Sequence, residues 1–525
     1  MSARRGRLSW LLVAAGFAGS IAQAAHVPPA APSAVREKVR AWRERNEVAI
    51  LREFVELLKI PNVASDTPNI RRNAELIVGM LERRGIHAKT LDGAGGPPPI
   101  YGELPAPGAR HSVLIYAHYD GQPVDPPRWD GDPWTPLLRD RPVEDGGREI
   151  PLASLAAPLD PEWRLYGRAT SDDKAPIIGV LAALDALKAA SIPLSVNLKL
   201  FLEGEEEAGS PHMAAVLDQH SALLKANAWL LCDGPVHQSR RMQVYFGARG
   251  VTDVELTVYG PSRALHSGHY GNWAPNPAVA LAHLLAGLRD PDGRIGIAGF
   301  YDDVRPPTAS ERQALAEIPD VDAELARSFG LAETEAAGAR LVERILLPAL
   351  NVRGIESGRV GTRASNAIPT EATASIDFRL VPDQTPEKVR ERVEAHLAAK
   401  GYDLVRETPD AEARRRKRLV KVEWGSGGYP PSRTSMDLPV ARAVVRAVEQ
   451  ATGEPVIRMP TLGGSVPMHL FAEKVGVPIL GLPIANHDNN QHAANENIRL
   501  RNLWDGIQVY AVLLAHLGED LTQAR

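Results

Sequence analysis

From Val35 to Leu58 the apolar residues Val39, Trp42, Val48, Leu51, Phe54, Val55 and Leu58 recur at steps of three and four among charged neighbours, which predicts an amphipathic helix. A second helix is expected from Asn73 to Arg84. Short apolar runs follow at Val113 to Ala117, Val196 to Leu202 and Trp229 to Cys232, each closed by polar residues, and a helical stretch from Pro176 to Ala190 separates the first two. Strands alternating with helices predict an α/β domain, its sheet mixed and largely parallel with flanking helices. Near Gly247 the period changes. Thr252 to Tyr259 and Ala372 to Leu380 alternate apolar and polar positions, as strands with one wet face do. Together with a helix at Ala278 to Leu288 they predict an inserted α+β domain over residues 247–428. Within it Ser310 to Leu347, rich in Ala, Glu and Arg, reads as a partly helical arm or cap. After Pro430 the first pattern resumes in a helix from Leu438 to Thr452 and apolar runs at Pro478 to Ile484 and Leu503 to Leu517. Residues 429–525 are therefore expected to complete the domain begun by 35–246.

Composition narrows the class of protein. The chain has 525 residues, 44% hydrophobic and 24% charged, which suits several packed domains and excludes a disordered or multi-span membrane protein. A formal charge of −4 provides no positive field for nucleic acid or an anionic membrane. At the N-terminus, Arg4, Arg5 and Arg7 precede an apolar stretch from Leu8 to Ala22 and the small-residue pattern Ala22-Gln23-Ala24. This reads as a secretory signal over 1–24, cleaved near Ala24, with a Pro-rich linker over 25–34 and an uncleaved anchor as the alternative. A periplasmic or secreted protein, free of the membrane after cleavage, is expected. The single cysteine, Cys232, excludes an intrachain disulfide and reads as a core thiol.

Five clusters could carry chemistry. His118 and Asp120 close the run Val113 to Ala117, two apart, so that an extended strand puts both on one side. Asp172 and Asp173 are adjacent carboxylates before a helix, a costly pair without cations. Glu205, Glu206 and Glu207 follow the strand-like Asn197 to Leu202, where open α/β sheets gather ligands. Asp233 follows Leu230-Leu231-Cys232, and His492 lies in a polar segment near the C-terminus. Three strands thus end in His, Asp or Glu, the nitrogen and oxygen set that zinc accepts. Two metals would neutralise this many acids, polarise a carbonyl and acidify a water. Gly93-Ala94-Gly95-Gly96 and Gly463-Gly464-Ser465 lack the lysine and spacing of a phosphate loop.

Read together, Ala117-His118-Tyr119-Asp120, Tyr166-Gly167-Arg168 through Asp172-Asp173-Lys174, Glu205 to Ser210, and His492-Ala493-Ala494-Asn495-Glu496 resemble the co-catalytic zinc peptidases that include carnosinase, cytosolic non-specific dipeptidase, aminoacylase and glutamate carboxypeptidase. Trp129 to Trp134, Leu265-His266-Ser267-Gly268, Phe378 to Pro382 and Gly463-Gly464-Ser465 resemble the dipeptidase branch in particular. The resemblance implies a catalytic domain made of 35–246 and 429–525, with 247–428 as a lid and dimerisation domain. It implies two zinc ions per subunit, with manganese or cobalt able to use the same ligands. Asp172 would bridge them, His118 and Asp233 would hold one, and Glu207 and His492 the other. Glu206 would be the general base, Asp120 would orient His118, and the Asp172-Asp173 peptide would be cis. Glu205 is left without a role.

The same resemblance makes His266 an oxyanion donor reaching across a homodimer interface, and gives Arg379, Asn366, Gly464 and Ser465 contacts with the substrate. One departure concerns specificity. The dipeptidase branch has Glu before Gly-Gly-Ser, where it meets a free substrate amine, whereas this chain has Leu462. The resemblance therefore implies a hydrolase of dipeptides or short peptides at a C-terminal residue. An N-acyl amino acid deacylase or carboxypeptidase is the alternative, and an inactive binding protein on the same fold is the remote one.

Overall fold

The computed structural model describes residues 30–336, 338–416 and 418–523. The expected secretory signal and residues 25–29 of the expected linker lie outside the described residues. The linker's last residues, from Pro32, instead open a helix, Pro32–Leu58, where proline's fixed φ suits the first turn. Among the described residues, no helix is long and apolar enough to cross a membrane.

An eight-stranded sheet runs in the order His87–Thr90, Ile100–Leu104, Asn197–Glu203, Ser112–His118, Ala228–Leu231, Ile479–Gly481, Gln243–Tyr245 and Ile457–Met459. Its centre, from Asn197–Glu203 to Ile479–Gly481, is parallel, and antiparallel pairs lie on either side. The central strands are largely apolar because both faces are covered. Val113, Ile115 and Ala117 enter one core while Leu114 and Tyr116 enter the other; Leu230 and Cys232 alternate likewise with Trp229 and Leu231. The first core is closed by helices Pro32–Leu58, Lys174–Ala189, Pro439–Thr452 and Leu500–Gln523, and the second by Met213–Leu224 and Met468–Val475. This is the mixed α/β architecture expected from the apolar runs.

A second sheet, of five strands, lies in the chain between Gln243–Tyr245 and Ile457–Met459. Gly250–Tyr259 is its centre, antiparallel to Glu371–Leu380 over ten residue pairs and to Leu419–Trp424 on the other side. Its apolar face packs on helices Pro277–Leu288 and Pro386–Ala399 through Leu281, Leu284, Val389 and Val393. The arm or cap expected from Ser310 to Leu347 is instead packed down. Its helices Ala309–Glu317 and Leu341–Arg344 send Leu315 and Val342 into the second core of the eight-stranded sheet, along with Ile318 and Leu346.

Candidate active site

Parallel pairing brings three strand ends to one edge. His118 stands opposite Glu203, the last residue of Asn197–Glu203, and Tyr116 stands opposite Leu231, two residues before Asp233. In open α/β sheets this carboxyl edge is where ligands collect. His118 is fully buried, with Nε2 2.9 Å from Asp172 Oδ1. Its Nδ1 lies 3.2 Å from the main-chain oxygen of Asp120 and 3.4 Å from that residue's Oδ1. The Asp120 carboxylate is mainly engaged elsewhere: Oδ1 accepts from the Glu206 amide and Oδ2 from the Glu207 amide, each at 3.1 Å. Asp120 thereby fastens the short helical turn Glu206–Ala208 beside His118.

His492 Nε2 reaches Asp172 Oδ2 at 3.1 Å and Glu207 Oε2 at 3.2 Å, so Asp172 offers one oxygen to each histidine. Two groups of potential ligand atoms result, each within 4.8 Å: His118 with Glu206 and Asp233, and Asp172 with Glu207 and His492. Glu206 thus lies in the first group here, beside the pair His118 and Asp233. The electrostatics fit divalent ions. Burial pushes Asp233 up to about 7, helped by the charge of Asp172. Burial also drives Glu206 well above the carboxylate range, with Asp233, Glu203 and Asp172 adding to it. Burial alone would lower His118, yet its bonds to Asp120 and Asp172 hold it well above the usual imidazole value. His492 is raised to about 10 by Asp172 and Glu207. Retained protons here offset a concentration of negative charge, a role that two cations can take over.

The loop before helix Lys174–Ala189 is held from the C-terminal part of the chain. Glu496, fully buried, accepts from Arg168 Nη1 at 2.9 Å, from the amides of Ala169, Ser171 and Asp172 at 2.9–3.0 Å, and from Ser171 Oγ at 3.0 Å. The Asp172-Asp173 peptide is cis. Glu496→Ala would leave the buried Arg168 guanidinium and three amides without their acceptor. It is expected to lower stability by about 3–5 kcal/mol, read from denaturant midpoints. A change below about 1 kcal/mol would mean that the loop is held by other contacts.

A cleft of about 750 Å³ opens over these groups, lined by Asp172, Glu206, Glu207, Asp233 and His492, and on its far wall by Arg379, Leu462, Gly464 and Ser465. Arg379 Nη1 donates to Ser465 Oγ at 2.8 Å. His266 and Asn366 lie elsewhere, together on an exposed ribbon in which His266 pairs with Ala367 and the Ser267 amide donates to the Asn366 oxygen at 2.8 Å. Glu205 does have a partner. Its carboxylate accepts from the His212 amide and meets His212 Nδ1, both at 2.9 Å, beneath the Gly93–Gly96 turn. Cys232 is buried, as read from its apolar run.

Two lining residues carried no sequence signal. Gln122 donates to Glu207 Oε2 at 2.8 Å. Tyr429 sits in a segment of Gly, Ser and Pro that reads only as a loop.

Comparison with known proteins follows the same lines. The profile described as peptidase family M20/M25/M40 matches residues 114–516. Cys-Gly metallodipeptidase dug1 of Schizosaccharomyces pombe is 27% identical over 493 residues, 89% of this chain and 96% of that one. Beta-Ala-His dipeptidase of Homo sapiens is 25% identical over 522 residues, 94% of each. The solved M20 family metallo-carboxypeptidase Sso-CP2 from Sulfolobus solfataricus has a TM-score of 0.71 at 29% identity, covering 90% of this chain and 99% of that one. The relatives correct the expected location. Similarity to dipeptidases such as dug1 counts against export, and the periplasmic or secreted assignment does not stand.

Proposed function

The chain belongs to peptidase family M20/M25/M40 and is a metal-dependent hydrolase, and from that premise we propose that it releases the C-terminal residue of dipeptides or short peptides. The observation carrying this reading is one cleft that joins two metal-capable groups to Glu206 and to the Arg379–Ser465 pair. His118 and Asp233 would hold one ion, Glu207 and His492 the other, with Asp172 between them; zinc is the ion this nitrogen and oxygen set suits. When bound, the ions polarise the scissile carbonyl and lower the pKa of a water. Glu206 takes the proton of the attacking water on its carboxylate and returns it to the leaving amine. Asp120, through the Glu206 amide, fixes that carboxylate in place. Arg379 pairs with the substrate's terminal carboxylate, for which a guanidinium fork gives charge-assisted bonds. His266 and Asn366, exposed and off the cleft lining, serve the cleft of a second subunit in a homodimer.

Leu462 in the cleft wall favours a second reading, an N-acyl amino acid deacylase, because an apolar side chain cannot pair a substrate ammonium. A panel of free and N-acetylated dipeptides, assayed with zinc and after chelation, tests both. Chelator-sensitive release of the C-terminal residue is expected, and the better substrate class chooses between dipeptidase and deacylase. No release from any member after zinc is restored would sink the peptidase reading.

A further inference from the structure

The geometry points to Tyr429 as a specificity-determining residue, its hydroxyl acting beside the Arg379 guanidinium as a neutral donor to the anionic end of the substrate. The inference rests on the peptidase reading above and adds a residue to it. Tyr429 is fixed on two sides. Its amide and carbonyl pair with Val251 at 2.9 and 3.0 Å, an approach possible because Gly250 has no side chain: a Cβ there would fall 2.5 Å from the Tyr429 oxygen. Its ring stacks on His469 with centroids 4.7 Å apart and planes 7° from parallel. An aromatic ring held by main chain and by a stack has one polar atom left to aim, and Tyr429 lines the cleft together with Arg379 and Ser465. Ser465 Oγ accepts from Arg379 at 2.8 Å, so a guanidinium, a hydroxyl and the Tyr429 phenol line one stretch of the same cleft.

Two guanidiniums, those of Arg379 and Arg249, lie close together at this end of the site. Arg379 has a carboxylate 3.3 Å away in Asp377, but Arg249 near it is buried and, among the described residues, directs Nε and Nη2 to the main-chain oxygens of Ile345 and Arg344, at 2.8 and 3.3 Å. A buried guanidinium whose partners are carbonyls leaves its charge uncompensated, and an anionic group arriving at Ser465 would supply the balance. Tyr429 is suited to contribute there because a neutral hydroxyl adds a directed bond without further charge.

Tyr429→Phe keeps the ring and its stack and removes only the hydroxyl. The probes are alanyl-leucine, N-acetyl-alanyl-leucine and the C-terminal carboxamide of each, used with the zinc-loaded full chain. For whichever free carboxylate is hydrolysed, the variant is expected to raise KM about 10- to 100-fold while kcat changes much less, with no change toward the carboxamide. An unchanged KM, or an equal loss on carboxylate and carboxamide, overturns the assignment. If wild type hydrolyses none of them, the peptidase reading has failed on its own, and calorimetric binding of the same two acids to the metal-free chain decides about Tyr429. Binding weakened tenfold or more in the variant upholds the donor. Equal binding, or none by either chain, overturns it.

Discussion

Glu206→Gln is expected to lower kcat by roughly 10²- to 10⁴-fold while the protein keeps its fold and its metal content, because the substitution removes a proton acceptor and little else. Glutamine has the size of glutamate, and the Glu206 amide that donates to Asp120 Oδ1 at 3.1 Å is main chain and survives the change. The Glu206 side chain is enclosed with His118 and Asp233, within 4.8 Å of both. There burial pushes the carboxyl up, which suits a group that must take a proton and give it back. Steady-state kinetics with metal analysis read the outcome; activity within tenfold of wild type at full metal content would remove Glu206 from the proton path. The same variant probes the dimer reading. His266 is exposed on a ribbon away from the cleft lining. Mixing Glu206→Gln with His266→Ala, each nearly inactive alone, should restore part of the activity through hybrid dimers. No recovery after demonstrated subunit exchange would argue against a shared site.

Much of this arrangement could be read along the chain because the central strands are buried on both faces and so appear as largely apolar runs. The run ending at Ala117 and the run ending at Leu202 each led directly to polar residues at the carboxyl edge, which is why His118, Asp120 and the glutamates stood out. Strands without such runs escaped notice. His87–Thr90 is an edge strand with mostly exposed side chains, and Gln243–Tyr245 and Ile457–Met459 are three residues long, too short to show any period. The acidic run from Glu203 to Glu207 reads as one loop, yet its members separate in space. Glu203 ends a strand and is buried under Tyr116, whose hydroxyl donates to it at 2.6 Å, and burial raises it to about 8. Glu205 is taken by His212, while Glu206 and Glu207 turn inward over Asp120. The resemblance sets Glu206 and Glu207 apart, but the places of Glu203 and Glu205 become visible only in the fold. Tyr429 was invisible for a related reason: its placement depends on Val251, which lies 178 positions earlier in the chain, and on the ring of His469.

Asp172→Asn is expected to lose both ions together and to bring hydrolysis down to background, since Asp172 is the residue on which the two groups meet. Its Oδ1 stands 2.9 Å from His118 Nε2 and its Oδ2 3.1 Å from His492 Nε2, so one amide nitrogen in place of an oxygen deprives one side of a ligand and puts a donor there. The negative charge goes too. Burial alone would raise Asp172, but its bonds to the two histidines hold it far below the usual carboxylate value. Metal binding to wild type should be linked to protons in a definite direction. Without ions Asp233 titrates at about 7 and His492 at about 10, so ligation at neutral pH must expel protons, and affinity should fall as pH drops. Each displaced proton contributes about tenfold per pH unit once the pH is below the pKa of its group. Calorimetric zinc titration in two buffers of different ionisation heat measures the protons released, and elemental analysis measures the ions retained. Two ions in Asp172→Asn would show that the groups bind independently. Proton uptake by wild type would mean that the retained protons lie outside the metal groups.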